Sequence, residues 1–153
     1  MSITSIARNF FAPRLKEIGK YATQAADIQA RMLRYLTENA KNTEYGRRHL
    51  PGDAPSYESF AASVPLNTYD DLKDMIDRMR HGEANVLWPG TVKWYAKSSG
   101  TTNDKSKFIP VSREGLKHTH YQGGTDAVAL YLGNNPESRM FDGKGLILGG
   151  SHS

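Results

Sequence analysis

The segment that most constrains the fold is a polar loop, residues 98–107, placed between two short runs of strand character. Residues 91–97 alternate with a period of two, which predicts a half-buried strand. The alternating positions are Val92, Trp94 and Ala96 on one side and Lys93, Tyr95 and Lys97 on the other. Residues 108–111 predict a second strand, in which Pro110 cannot donate to a ladder and therefore belongs at an edge or a bulge. We therefore expect the chain to fold around a strand–loop–strand unit.

The chemistry of this loop suits an anion better than it suits packing. Its candidate binding residues are Ser98, Ser99, Gly100, Thr101, Thr102, Lys105 and Lys107. Glycine lets successive backbone N–H groups turn inward to form an anion-binding nest, and the hydroxyls add further donors. The two lysines can neutralise phosphate oxygens, and one hydroxyl could help to hold a magnesium ion. From composition alone, a plain polar turn around Asn103 and Asp104 is an equal alternative.

A P-loop is excluded by the strand-like residues that come directly after the loop. Residues 100–106 match the P-loop pattern only if its second glycine is dropped. A P-loop also opens directly into a helix whose N-terminus faces the phosphates. Here residues 108–111 occupy that position and have the character of a strand.

The clearest predicted helix lies between Thr68 and Gly82. Thr68 is a good N-cap, and Asp71 three residues later gives an acidic version of the capping box. Gly82 can take the left-handed position after the last turn. The apolar stripe of this helix is Leu72, Met75, Ile76 and Met79.

Other segments flanking the loop also predict regular structure. Residues 24–40 have helical apolar spacing, residues 43–46 interrupt it, and Ser56 can cap a short helix through residue 62. After the loop, Ser112 can cap a helix that two glycines weaken, and residues 146–148 predict a buried strand. Because that strand would lack its cover, we expect the N-terminal piece of a longer protein. The predicted fold class is mixed α/β, incomplete in this chain.

Composition limits the functional classes. The chain has 153 residues, no cysteine and a net charge of +4, so disulfides and thiolate zinc sites are excluded. Nine basic and four acidic residues among the first fifty give a local excess of +5. These charges are interspersed, which favours a solvated helical surface over a nucleic-acid site. With neither a membrane-spanning run nor a secretory signal, the expected location is the cytoplasm.

At the loop the sequence resembles a known group of enzymes. Residues 98–102, followed by Lys105 and Lys107, resemble the phosphate-binding signature of the acyl-adenylate-forming superfamily, which includes firefly luciferase and the acyl-coenzyme A synthetases. The longer string SSGTTNDKSKFIP, residues 98–110, is similar to the auxin-responsive acyl acid–amido synthetase family. Upstream positions follow that family's pattern in order: Asn42, Thr43, Glu44, Tyr45, Gly46, Phe60, Val64, Pro65, Tyr69, Gly82, Leu87, Trp88 and Pro89. The style of the sequence suggests a bacterial member.

The resemblance implies an ATP-dependent ligase that uses Mg²⁺. A carboxylic acid would be adenylated and its acyl group passed to an amine such as an amino acid. Ser98, Ser99, Thr101 and Thr102 would bond phosphate oxygens, Gly100 would allow close approach, and Lys105 and Lys107 would supply charge. No general base is implied. Residues 1–90 would form a mainly helical region, and residues 91–153 the start of the ATP-binding α/β region, which belongs to the large N-terminal domain.

The loop departs from the family pattern at two positions. Asp104 stands where the family usually has glycine, and Ser106 stands where it usually has proline. Aspartate tolerates a left-handed backbone better than most residues, so the turn can be kept. An added carboxylate near phosphates is unfavourable unless magnesium or Lys105 offsets its charge.

Other candidate residues have plainer explanations. His118 and His120 are two residues apart, so they lie on different faces of a helix and are expected to be surface histidines without a metal. Residues 120–124 and 149–152 could lie beside a substrate, although close helix packing would equally explain Gly123 and Gly124. The alternative function is a non-catalytic basic helical module that binds a polyanion or a partner protein. If the enzyme prediction holds, the partners are the two substrates and the rest of the chain, without nucleic acid or membrane.

Overall fold

The computed structural model describes residues 2–50, 52, 56–98 and 106–146. Helices dominate these residues, and two short strands form a small antiparallel sheet, which confirms the predicted mixed class. In chain order the elements are α1 (Ile3–Thr23), α2 (Ala25–Ala40), α3 (Glu44–His49), α4 (Tyr57–Ser63), α5 (Tyr69–Arg80), β1 (Trp94–Lys97), β2 (Phe108–Val111), α6 (Arg113–Gly115), a π-helix (Leu116–Tyr121) and α7 (Gln122–Asn134). None of the described helices is long and apolar enough to cross a membrane.

The described residues divide into two compact units. The first comprises Met1–Thr23 with His120–Ser153, and the second comprises Gln24–Thr119. This grouping follows contacts in space and does not test the functional boundary predicted at residue 90.

In the first unit α1 packs along α7. Arg14 and Asp126 join the two helices through a two-pronged ion pair, with Nε–Oδ1 and Nη2–Oδ2 distances of 2.8 and 3.1 Å. Gln122 donates a further hydrogen bond to Asp126 Oδ1 at 2.9 Å. At the start of α1, the backbone N–H of Thr4 donates to Asp142 Oδ1 at 3.0 Å. Polar contacts therefore fix α1 at several points along its length.

The core of the second unit lies between α5 and β1. Its buried members are Met79, Val86 and Val92, and the partly buried residues packed on them are Met75, Leu87, Trp88 and Tyr95. The predicted stripe of α5 supplies Met75, Ile76 and Met79 to the interior. The core thus holds one helix face against the strand that leads into the candidate loop.

Both ends of α5 form as the sequence predicts. The carboxylate of Asp71 accepts hydrogen bonds from the backbone N–H and the hydroxyl of Thr68, each at 2.7 Å. Gly82 has φ +93°, the left-handed conformation that glycine adopts without a Cβ penalty. Its N–H donates to the carbonyl of Met79 at 3.0 Å. Local sequence therefore determines where this helix begins and ends.

The predicted interruption near residue 43 is placed differently in the structure. α2 ends at Ala40, and Thr43 is the N-cap of α3, with its hydroxyl accepting from the backbone N–H of Gly46 at 2.9 Å. The prediction that residues 43–46 interrupt the helix was therefore wrong for residues 44–46, which form the first turn of α3. The apolar stripe predicted for α2 also stays half exposed at Met32, Tyr35 and Leu36.

The helix after β2 is not one continuous α-helix. Ser112 caps it as predicted, accepting from the N–H of Gly115 at 3.0 Å. Residues Leu116–Tyr121 then form a π-helix before α7 begins, which no sequence pattern indicated. A Cβ on Gly123 or Gly124 would meet nothing within 4 Å among the described residues, so close packing does not explain these glycines. The strand predicted at residues 146–148 lies outside the described residues beyond position 146.

Candidate functional site

The two ends of the candidate loop are joined as a β-hairpin. β1 and β2 pair antiparallel with Trp94 opposite Val111 and Lys97 opposite Phe108. Beyond the strands, the N–H of Ser98 donates to the carbonyl of Lys107 at 2.9 Å. The N–H of Lys107 in turn donates to the hydroxyl oxygen of Ser98 at 3.0 Å. The strand on each side of the loop, which excluded a P-loop, is therefore confirmed.

This pairing brings together two of the predicted site residues, Ser98 and Lys107. The other five, Ser99, Gly100, Thr101, Thr102 and Lys105, lie outside the described residues. One lone pair of the Ser98 oxygen is used to close the loop, although its O–H stays available as a donor. Ser98 therefore has a structural role in addition to the phosphate contact predicted for it.

The free edge of β2 is completed by a side chain from α5. In an antiparallel pair, positions alternate between N–H groups that face the partner strand and N–H groups that face away. Since Ser98 and Lys107 bond across the pair, the next position, Phe108, directs its N–H away from β1. That N–H donates to the hydroxyl of Tyr69, the first residue of α5, at 3.1 Å. Pro110, two residues further, also faces outward, where its missing N–H costs no ladder bond.

Lys107 contacts the same tyrosine. Its ammonium lies 5.5 Å from the centroid of the Tyr69 ring, within the range of a cation–π interaction. The guanidinium of Arg80, at the other end of α5, lies 3.7 Å from the ring centroid of Phe108. α5 therefore contacts both the lysine and the phenylalanine where the loop returns to the sheet.

The structure decides which side of β1 packs on the core, a choice that the alternating pattern left open. Tyr95 packs against the buried cluster, whereas Trp94 is 48% exposed and Ile109 of β2 is 47% exposed. The strand is also shorter than the predicted residues 91–97, since it begins at Trp94. Val92, although buried, lies before its start. Alternation predicted a half-buried strand, but it could not show which aromatic residue meets α5.

Tyr95 brings a polar group into this core. Its hydroxyl oxygen is buried and has no hydrogen-bond partner among the described residues. Burial raises the pKa of Tyr95 above its ordinary value of 10.0, while the charge of Arg80 opposes the shift. The phenol is therefore neutral at physiological pH and acts as a packing group.

The segment resembling the family at residues 42–46 is a structural anchor. The N–H of Glu44 donates to the carbonyl of Asn85 at 2.8 Å, and that of Tyr45 donates to the carbonyl of Val86 at 3.0 Å. The first turn of a helix has unsatisfied N–H groups, and here the turn after α5 supplies their acceptors. The segment thus fixes α3 to the loop that leads into β1. Among the described residues, no hydrogen bond or ion pair joins it to Ser98 or Lys107.

An ion network strengthens this anchor. Arg78 binds the carboxylates of Glu44 and Glu83, and Arg48 lies 2.8 Å from Glu44 Oε1. Hydrogen bonding to the Arg78 guanidinium holds the pKa of Glu44 and of Glu83 below the ordinary carboxyl value of 4.5. The carboxylates also raise the pKa of Arg78. No local sequence pattern pairs these residues, because Glu44 and Arg78 are distant along the chain.

The histidines show no metal arrangement. His118 and His120 lie in the π-helix with exposed side chains, and the described residues contain no group of three or more potential ligands. A half-open groove of about 450 Å³ lies near His118. It is lined by Met32, Tyr35, Leu36, Trp88, Ser112, Glu114, Gly115, His118 and Thr119. Glu114 within it accepts a hydrogen bond from Trp88 Nε1 at 3.1 Å.

Comparison with known proteins identifies the family. The sequence model of the GH3 family N-terminal domain matches residues 14–152. This chain belongs to the GH3 family. The match includes the hairpin, α5 and the anchor at residues 42–46, so it covers every predicted site residue. The family resemblance predicted from the sequence is therefore confirmed.

Several curated plant proteins are similar to this GH3 chain. A putative indole-3-acetic acid-amido synthetase, GH3.9 of Arabidopsis thaliana, is 33% identical over 103 residues, 67% of this chain and 17% of that protein. The indole-3-acetic acid-amido synthetase GH3.17 of the same plant is 29% identical over 136 residues, 88% of this chain and 22% of its own length. The jasmonoyl–L-amino acid synthetase GH3.3 of Oryza sativa subsp. japonica is 33% identical over 106 residues, 69% of this chain and 23% of that protein.

These matches cover a limited part of each relative. The GH3 chain spans 17–23% of the length of these three proteins. All three come from plants, and nothing in the comparison supports the bacterial branch suggested by the sequence.

Proposed function

We propose that this GH3 chain is part of an ATP-dependent acyl acid–amido synthetase and that residues 98–107 hold the phosphates of ATP. The observation that carries the proposal is the hairpin that places Lys107 beside Ser98 at the base of a loop with phosphate-binding composition. The names of its relatives, which are amido synthetases of indole-3-acetic acid and a jasmonoyl–amino acid synthetase, support the reaction class.

The reaction has two steps. A carboxylate oxygen of the acid attacks the α-phosphorus of ATP, the bond from that phosphorus to the α,β-bridging oxygen breaks, and pyrophosphate leaves. The amine of the second substrate then attacks the acyl carbon. The bond between that carbon and the oxygen bridging it to phosphorus breaks, AMP leaves with this oxygen, and one proton of the amine passes to solvent. The products are an amide, AMP and pyrophosphate.

The loop would act by electrostatics. Negative charge grows on the leaving pyrophosphate in the first step, so donors fixed near it lower the barrier. Lys107 and Lys105 would supply positive charge, while Ser98, Ser99, Thr101 and Thr102 would donate hydrogen bonds. Gly100 would let the backbone approach the phosphates closely. Magnesium, bound mainly through the phosphates, would neutralise further charge, with one loop hydroxyl as an additional ligand.

The same proposal assigns different roles to the two parts of the chain. Residues 1–90 would serve as a mainly helical support, and residues 91–153 would begin the ATP-binding region. We place the reaction in the cytoplasm, where ATP is available. The substrates and the remainder of the chain would be its partners.

Ionic contacts weaken the alternative of a polyanion-binding module. Arg14, Lys20, Lys41 and Arg48 all pair with carboxylates of this chain. Four of the nine basic residues near the N-terminus are therefore engaged by carboxylates within the described part of the chain. No described feature favours the alternative over the enzyme.

Pyrophosphate exchange in the full-length protein tests the proposal. We expect ATP exchange to depend on one or more members of a panel of carboxylic acids. Lys107→Ala and Ser99→Ala should each lower the exchange rate by roughly tenfold or more, because each removes a group that stabilises the leaving charge. Lys93→Ala is the matched control, since Lys93 is an exposed lysine outside the loop.

Two results would contradict the proposal in different ways. A folded wild-type protein without exchange for any acid would disprove adenylation. Normal exchange in both loop variants would remove residues 98–107 from the active site while leaving the reaction class intact.

A further inference from the structure

We propose that Tyr69 is a positioning residue that sets Lys107 in place for ATP. The inference rests on the proposed function of the loop. Tyr69 itself would not touch the nucleotide. It would act through the backbone of Phe108 and the ammonium of Lys107, the two neighbours that it contacts.

The first support is the hydrogen bond at the edge of β2. The outward N–H of Phe108 has no acceptor on β1, so Tyr69 Oη at 3.1 Å satisfies it. This bond fixes the backbone one residue after Lys107. The Cα of Lys107 is held from the other side by the two hydrogen bonds to Ser98. The side chain of Lys107 therefore extends from a backbone segment that is restrained on both sides.

The second support is the ring of the same tyrosine. The Lys107 ammonium lies 5.5 Å from its centroid, so the ring attracts the charge without neutralising it. An acidic partner would compete directly with a phosphate for that charge. An aromatic partner limits the rotamers of the long lysine side chain and still leaves its N–H donors for an anion. This combination suits a cation that has to be placed and kept available.

The third support is the rigidity of the platform. Tyr69 is the first residue of α5, directly after the N-cap Thr68 of the Thr68–Asp71 capping box. The same helix is held in the core by Ile76 and Met79. A side chain on a capped and packed helix is more fixed than one on a loop, which is the arrangement that a positioning residue needs.

Two substitutions separate the hydroxyl from the ring. Tyr69→Phe keeps the ring and removes the acceptor for the Phe108 N–H, whereas Tyr69→Leu removes both. Tyr57→Leu is the matched control, because Tyr57 is also the first residue of a capped helix but is 72% exposed. All three variants would be made in the full-length protein and checked for native secondary structure.

The experiment measures kcat and KM for ATP and for the carboxylic acid, using pyrophosphate exchange. We expect Tyr69→Phe to lower kcat/KM for ATP by roughly three- to tenfold, because a single neutral hydrogen bond is lost. Tyr69→Leu should lower it further. The KM for the acid should not change in either variant, whereas general loosening of the fold would raise it. Tyr57→Leu should match the wild type in both constants.

A double-substitution cycle tests whether Tyr69 acts through Lys107. In protein that already carries Lys107→Ala, Tyr69→Leu should have almost no additional effect on kcat/KM for ATP. If the losses in kcat/KM from the two substitutions multiply instead, the inference is overturned. It is also overturned if the Tyr69 variants have the kcat and KM values of the wild type. Neither outcome affects the proposed function. A wild-type protein without exchange would overturn the proposed function and this inference together.

Discussion

The carbonyl oxygen of Ala40 occupies the space in which a side chain at position 46 would begin. A Cβ built on Gly46 would lie 1.9 Å from that oxygen and 2.7 Å from the carbonyl carbon. Both atoms belong to the backbone, so no side-chain rotation relieves the overlap. Glycine at the end of the Asn42–Gly46 segment therefore has a steric cause, which is the close approach of α3 to the end of α2.

Gly46→Ala should therefore destabilise the protein by about 3 kcal/mol or more, at or above the upper range for overpacking a core. Denaturant unfolding of the wild type and the variant measures the change. Gly19→Ala in α1 is the control, because a Cβ there meets nothing within 4 Å. It should stabilise the protein by about 0.5–1 kcal/mol, the helix advantage of alanine over glycine. Equal stability of Gly46→Ala and wild type would show that α2 and α3 are not so close.

The network around Arg78 predicts a loss of stability in acid. The pKa values of Glu44 and Glu83 are lowered by this guanidinium in the folded state, from an ordinary value of 4.5. Their contribution is therefore complete above about pH 4.5 and is lost as the pH falls through the lowered folded-state pKa values. The midpoint temperature of thermal unfolding, measured from pH 7 to pH 3, should therefore decrease once the pH drops below about 4.5.

Glu44→Gln should flatten that dependence, because the variant has one fewer carboxylate to protonate. Glu137→Gln is the control, since it replaces an exposed glutamate, and its profile should follow the wild type. A Glu44→Gln profile as steep as that of the wild type would assign the acid sensitivity to other carboxylates.

The Arg14–Asp126 pair should contribute more than the exposed Lys20–Glu17 pair of α1. Its side chains are 26% and 19% exposed, against 43% and 48% for Lys20 and Glu17. Asp126→Asn removes the charge from a two-pronged pair that Gln122 also supports, and we expect a loss of about 1–3 kcal/mol. Lys20→Met should change stability by less than about 0.5 kcal/mol. Amide hydrogen exchange in α7 provides the measurement, and equal protection in the two variants would contradict the ranking.

Tyr95→Phe should leave the protein as stable as the wild type or more stable, by up to about 1 kcal/mol. The substitution removes a buried hydroxyl that has no hydrogen-bond partner among the described residues and keeps the ring on the Met79 cluster. Tyr45→Phe is the comparison, because the Tyr45 hydroxyl accepts from Asn67 Nδ2 at 2.6 Å. That variant should lose about 0.5–1.5 kcal/mol. A clear loss for Tyr95→Phe in thermal unfolding would mean that its hydroxyl has an acceptor or donor.

Local signals in the sequence carried much of the prediction. The ends of α5 follow from Thr68, Asp71 and Gly82, because a cap needs only residues three or four positions apart. The hairpin follows from two alternating runs around a polar loop. The string of residues 98–110 also resembled the GH3 family, although the composition of the loop alone left a plain polar turn equally open.

Sequence patterns were insufficient where the deciding partner was distant in the chain. Trp94 and Tyr95 are adjacent aromatic residues, and only the position of α5 determines that Tyr95 packs on the core while Trp94 stays 48% exposed. The prediction that residues 43–46 interrupt the helix missed α3, whose first N–H groups bond to carbonyls of Asn85 and Val86. No local pattern indicated the π-helix at Leu116–Tyr121.

The sequence by itself determined the strand–loop–strand unit and the caps of α5, because each depends on residues close together along the chain. Membership of the GH3 family also follows from the sequence, through a match that extends over residues 14–152. Only the tertiary structure brought Tyr69 to Phe108 and Lys107, and Arg78 to Glu44. These contacts join segments that are distant along the chain, and no local sequence pattern predicts that they meet. These contacts depend on the packing of α5 against β2 and on the hydrogen bonds that fix α3 to the turn after α5, both of which arise only when the chain has folded.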